Sequence, residues 1–138
     1  MMMRIFIDTN IVLDFALGRE PFASVARRLF DKIDENKVNA CITASSITDI
    51  YYILKKSRPH EEVILFLKEL VQNVRMLDVS AEIVGTALYS VFKDFEDAVQ
   101  YYAAEYNDIE VIVTRNTKDY QLSAIPVMNA QEFLEKYF

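Results

Sequence analysis

The chain has 138 residues, with 21 acidic side chains against 15 basic ones, a formal charge of −6 and a pI near 4.8. A hydrophobic content of 52% with 2 Gly and 3 Pro excludes a disordered or low-complexity chain, and this length can bury about two-thirds of its unfolded surface, so one domain over residues 1–138 is expected. The acidic balance argues against a basic glove for duplex nucleic acid and against attachment to an anionic membrane surface.

Short apolar runs alternate with longer segments of helical period. Arg4 to Ile7 is the first run and ends at Asp8-Thr9-Asn10; its residues are apolar on both faces, the pattern of a central parallel strand. Asn10 to Leu17 then reads as a short helix stopped by Gly18, and Ala23 to Glu35 as a second with Val25, Ala26, Leu29, Phe30 and Ile33 on one face. Asn39 to Ile42 is a second strand. Ser45 to Lys56 and Pro59 to Gln72 are helices, the former opened by capping residues, the latter striped by Val63, Phe66, Leu67 and Leu70. Val74 to Val79 is a third strand, followed by a helix from Ser80 to Val91. Phe95 to Tyr106 is a helix that Asp94 can cap at the backbone of Asp97. Glu110 to Val113 and Pro126 to Met128 are the last strands, and Ala130 to Tyr137 is the last helix. Strands separated by one or two helices imply right-handed crossovers. The expected fold is α/β: a three-layer α/β/α sandwich around a central, mostly parallel five-stranded sheet.

The composition narrows the chemistry. Cys41 and His60 are single residues of their kinds, which excludes an internal disulfide, a cysteine-based zinc site and a histidine-rich metal site. His60 sits in what reads as the opening turn of a surface helix, not beside a nucleophile. Oxygen ligands are left for any metal. Met1 to Ile7 lacks the charged leader and apolar stretch of a signal peptide, and no apolar run approaches membrane-spanning length, so a cytoplasmic protein is expected.

In parallel sheets ligands bind beyond the carboxyl ends of the strands. Those positions hold Asp8 after the first strand and Asn116 with Asp119 after the fourth; Asp49, Asp94 and Asp97 come from helix starts. Carboxylates brought together repel one another unless a cation sits among them, and hard ions such as Mg²⁺ or Mn²⁺ suit such donors. Taken singly, Asp8 and Asp94 also fit helix caps, and Asp97 fits a helix dipole partner.

Four ordered segments carry a resemblance. Ile5-Phe6-Ile7-Asp8-Thr9-Asn10-Ile11-Val12-Leu13-Asp14, Ser45-Ser46-Ile47-Thr48-Asp49-Ile50, Asp94-Phe95-Glu96-Asp97-Ala98-Val99-Gln100 and Ile112-Val113-Thr114-Arg115-Asn116-Thr117-Lys118-Asp119-Tyr120 resemble the motifs of PIN domains, the metal-dependent ribonuclease fold that includes the VapC-like toxins of toxin–antitoxin pairs. The resemblance implies Asp8, Asp49 and Asp97 as catalytic residues, with Asp8, Asp97 and Asp94 holding Mg²⁺ or Mn²⁺. It implies fourth-motif contributions from Asn116 and Asp119. Thr9, Asn10, Thr114, Arg115 and Lys118 are the candidate substrate contacts, with Lys55, Lys56 and Arg58 as further guides for a nucleic-acid backbone. Asp49 stands where the family usually has Glu, and Asn116 where many members have Asp.

The function so implied is cleavage of single-stranded RNA by a toxin that forms a homodimer and is bound by a cognate antitoxin, with no membrane involvement. The alternative is a catalytically weakened domain of the same fold serving as an RNA- or protein-binding module.

Overall fold

The computed structural model describes residues 2–138. Strand β1 (Arg4–Ile7) leads into helices α1 (Thr9–Leu17) and α2 (Phe22–Asp34), and β2 (Asn39–Thr43) into α3 (Ala44–Lys55) and α4 (His60–Asn73). After β3 (Val74–Leu77) come α5 (Ala81–Leu88) and α6 (Phe95–Tyr106), then β4 (Val111–Val113), a 3₁₀ turn (Thr117–Tyr120), β5 (Val127–Met128) and α7 (Ala130–Tyr137). The strands pair in parallel throughout, in the order β3-β2-β1-β4-β5.

The period of two in the strands divides the core between the sheet's faces. Ile5 and Ile7 of β1, Ala40 and Ile42 of β2, and Val111 and Val113 of β4 pack into the larger layer with α1 to α4 and α7. Phe6, Cys41 and Ile112 face the other side, where they meet Tyr101 and Ala104 of α6. Ile5, Phe6, Ile7 and Ile112 are fully buried, as a central strand pair covered on both faces requires. A smaller cluster of Ile83, Ala87, Ala98, Val99 and Ala103 joins α5 to α6.

Differences from the sequence expectations lie at element ends. The third strand stops at Leu77 instead of reaching Val79, and as an edge strand it leaves Arg75 and Met76 exposed. The fifth helix ends at Leu88, three residues short, and the 3₁₀ turn has no counterpart in the sequence reading. Gly18 closes α1 at φ 66°, a left-handed backbone that glycine adopts without strain, and its amide bonds to the Asp14 carbonyl. Among the described residues, no helix is long and apolar enough to cross a membrane.

The chain leaves β1 in opposite directions for its two neighbours. β2 follows from one side, while β4 arrives on the other only after β3, α5 and α6. The crevice at the carboxyl ends of β1 and β4 is therefore the topological switch point of the sheet, where ligands of parallel α/β folds bind.

Candidate active site

A cavity of about 430 Å³ opens at that switch point, walled by Asp8, Thr9, Asn10, Leu13, Asp49, Tyr52, Ile53, Asp94, Glu96, Asp97, Asn116 and Asp119. Each acidic residue arrives on a different support. Asp8 follows β1, where its amide donates to the Val113 carbonyl at 3.0 Å and so continues the β1–β4 ladder. Its carboxylate, buried to 4% exposure, accepts a hydrogen bond from the Thr114 hydroxyl at 2.7 Å. Asp8 occupies the N-cap position of α1 but makes no side-chain capping bond there, so the bland capping role is not the one the geometry shows. Asp94 does cap α6, its Oδ1 accepting from the Asp97 amide at 2.9 Å. Asp97 and Glu96 follow in the first turn of that helix, Asp49 projects from α3, and Asp119 lies on the 3₁₀ turn.

Burial and mutual repulsion set the electrostatics. Burial raises the Asp8 carboxyl above its ordinary range, against the Thr114 hydroxyl and the amides of Thr9 and Asn10, which favour its charge. Asp97 is pushed up to about 7, first by burial and then by Asp94, Asp8, Asp119 and Glu96. Burial, with Asp49, Asp8 and Asp94, also raises Glu96. No lysine or arginine offsets them: the ion pairs among the described residues engage only Asp14 and Glu35. Beneath the carboxylates runs a buried polar belt. Thr43 and Ser46 share a hydroxyl contact, the Thr9 hydroxyl donates to Ser46 at 3.2 Å, and Gln100 reaches both Thr9 and Glu96. The Tyr120 hydroxyl, also buried, completes it at 3.5 Å from Gln100. Burial and the same carboxylates raise the Tyr120 phenol, so it stays a neutral donor.

The structure gathers Asp8, Asp49, Asp94, Asp97, Asn116 and Asp119 around one cavity, with Thr9 and Asn10 beside them. Other expectations need correction. Arg115 does not face the cavity: its Nε lies 3.2 Å from Asp14 Oδ2 and its guanidinium stacks 4.4 Å over the Phe22 ring. The reason is Asp14, a carboxylate at 1% exposure that requires a cation nearby. Thr114 is fully buried and not at the rim, and its hydroxyl is engaged with the Asp8 carboxylate. Lys118 needs no such correction: it borders a neighbouring cavity that shares Asp94, Asp97 and Asp119 with this one. Arg58 donates to the Ala16 carbonyl at 2.6 Å, and Lys55 and Lys56 line none of the cavities described. Glu96 was missed, because an acid in a first helical turn reads as a dipole partner. Gln100 and Tyr120 were missed because nothing local distinguishes a buried polar residue from an exposed one.

The donor set suits a hard divalent cation: oxygen donors only, several of them carboxylates, three with raised affinity for a proton and none with a cationic partner. Among the described residues, no three acidic, histidine or cysteine side chains already converge at ligating distance, so the cavity is an open acidic bowl and not a closed cage.

The fold and the site together define the class: a parallel α/β domain with an acidic crevice at the switch point of its sheet. The sequence profile of the PIN domain matches residues 4–118, and the chain belongs to that family. It is 24% identical over 139 residues to Ribonuclease VapC1 of Aquifex aeolicus, an alignment covering 97% of this chain and 95% of that protein. Its fold is similar to VapBC2 from Rickettsia felis bound to a promoter DNA fragment, at TM-score 0.69 and 18% identity over 92% of this chain and 98% of that one. It is likewise similar to a toxin–antitoxin complex from Klebsiella pneumoniae, at TM-score 0.68 and 23% identity over 91% of this chain and 97% of that one.

Proposed function

We propose that this chain is a divalent-metal-dependent endoribonuclease that cleaves single-stranded RNA, acting as the toxin of a toxin–antitoxin pair. The observation that carries this reading is the cavity at the β1–β4 switch point, where Asp8, Asp49 and Asp97 meet with no basic side chain to neutralise them. The similarity to a protein named as a ribonuclease, and to toxin–antitoxin structures, supports it. A homodimer and a cytoplasmic location belong to the same reading.

Asp8 and Asp97, with Asp94 beside them, are the residues that would hold Mg²⁺ or Mn²⁺. The bound ion supplies two things to phosphodiester hydrolysis: a lowered pKa for water and neutralisation of charge developing on the phosphoryl oxygens. The chain's own residues prepare the rest. Thr114 fixes the Asp8 carboxylate through its hydroxyl and leaves the other oxygen for the cavity. Asp94 holds the first turn of α6 and thereby the direction of Asp97. Asp49 lines the same cavity from α3, where it would orient water. Glu96 and Asp119 add negative charge, and Asn116 contributes a neutral amide.

The test is cleavage of single-stranded RNA in Mn²⁺ or Mg²⁺ by the wild type and by Asp8→Asn. Cleavage by the wild type, lost in the variant, is expected; equal activity in both sinks the assignment. The weakened-module reading draws on the open bowl and on Asn116. Calorimetric titration separates the two, because a degenerate site shows no divalent binding in the micromolar to millimolar range.

A further inference from the structure

A second cavity, of about 260 Å³, lies against the acidic one and shares Asp94, Asp97 and Asp119 with it. The two differ in charge. The walls of the first contain no lysine or arginine, whereas the second adds Lys93 and Lys118, both exposed and neither in an ion pair among the described residues. Val91 and Leu122, 79% and 58% exposed, give the same cavity an apolar side.

We propose that this second cavity is a backbone-binding arm of the nucleic-acid path, in which Lys93 and Lys118 hold phosphates of a single strand on one side of the carboxylate centre. The inference rests on the ribonuclease reading and adds a direction to it. A strand whose phosphodiester reaches the carboxylates must lay its adjoining phosphates along the neighbouring surface, and carboxylates repel them. Of the two joined cavities, only the one toward Lys93 and Lys118 offers cations. Ammonium groups on flexible stems suit phosphates without reading bases, and the apolar surface of Val91 and Leu122 suits the unpaired base faces that single strands expose. The bland alternative is two solvated loop lysines. Salt dependence separates them, because each phosphate that a lysine neutralises releases counterion from the strand.

The experiment measures binding of a short fluorescein-labelled RNA, 2′-O-methylated to prevent cleavage, to the full chain in Mg²⁺ by fluorescence anisotropy over a series of KCl concentrations. For Lys93→Ala with Lys118→Ala, the slope of log affinity against log salt is expected to be shallower than wild type by about 1.4, the contribution of two phosphates on a single strand. Lys93→Arg with Lys118→Arg keeps the wild-type slope. Arg27→Ala with Lys68→Ala removes the same charge from exposed positions on α2 and α4 and also leaves the slope unchanged. An unchanged slope in the first alanine pair, or an equal change in the second, overturns the proposal. Cleavage of unmodified RNA is scored separately. Binding with the lysine-dependent slope but without cleavage keeps the arm and removes the nuclease; cleavage with a lysine-independent slope does the reverse. A wild type that neither binds nor cleaves removes both.

Discussion

Asp97 is the residue on which the site's electrostatics concentrate. Its ordinary carboxyl pKa is 3.8, and in the folded chain burial and four neighbouring acids push it to about 7. The native protein therefore holds this proton more tightly than the unfolded chain does, and protonation favours folding. That contribution is fully present below 3.8 and is lost as pH rises toward and through about 7. The expected outcome is a melting temperature of the metal-free protein that falls across this interval, with a smaller fall in Asp97→Asn; parallel curves for the two proteins would contradict it. Thr114 makes a complementary case. Thr114→Val keeps the shape but removes the only side-chain donor to Asp8 among the described residues, and an outer-shell loss of this kind lowers metal affinity or activity about 10–100-fold. Isothermal titration with Mn²⁺ reads the first quantity and RNA cleavage the second.

Among the elements, α1 and the segment after β4 are joined by a buried ion pair that local sequence does not announce. Asp14 on the inner face of α1 meets Arg115, which immediately follows Thr114 beyond β4, while Arg19 approaches its other oxygen at 3.7 Å. Arg115→Ala leaves Asp14 buried with one distant cation, and the expected loss is about 2–3 kcal/mol, below the figure for a fully buried pair because Arg19 remains. Urea denaturation measures it. A fall in RNA affinity at unchanged stability would instead restore Arg115 as a substrate contact. This pair shows where sequence reading stops. β1 was legible to the residue because Arg4-Ile-Phe-Ile7 is apolar on both faces, and α6 because Asp94 announces its cap. Arg115 was misread because a basic residue after a strand looks solvated when its partner lies about a hundred positions away. The gathering of Asp8, Asp49 and Asp97 was legible because strand ends and helix starts in a parallel sheet share one rim. Glu96 and the polar belt through Gln100 and Tyr120 were not, since only the packing of α6 against the 3₁₀ turn gives them a direction.

At the scale of the whole molecule, the charge of −6 opposes nucleic acid, yet its sharpest part is local: six carboxylates line one cavity. On the proposed reading, divalent cations held by these carboxylates would offset that charge where a nucleic acid must approach. At constant ionic strength, replacing K⁺ by Mg²⁺ is expected to tighten binding of a non-cleavable single-stranded RNA, and Asp8→Asn with Asp97→Asn to diminish that response; anisotropy titrations decide it.

The strand order has a consequence for the life of the chain during its synthesis. Asp8 is made before the hydroxyl that orients it, which belongs to Thr114, 106 positions later and just beyond β4, a strand that docks against β1 only after β3, α5 and α6 have been laid down. A ribosome partway through the message therefore holds a nascent chain whose carboxylates are present and disarmed. A product terminated before β4 carries five of the six cavity carboxylates but lacks Thr114 and the strand pairing that seats Asp8, so its acidic centre is incomplete.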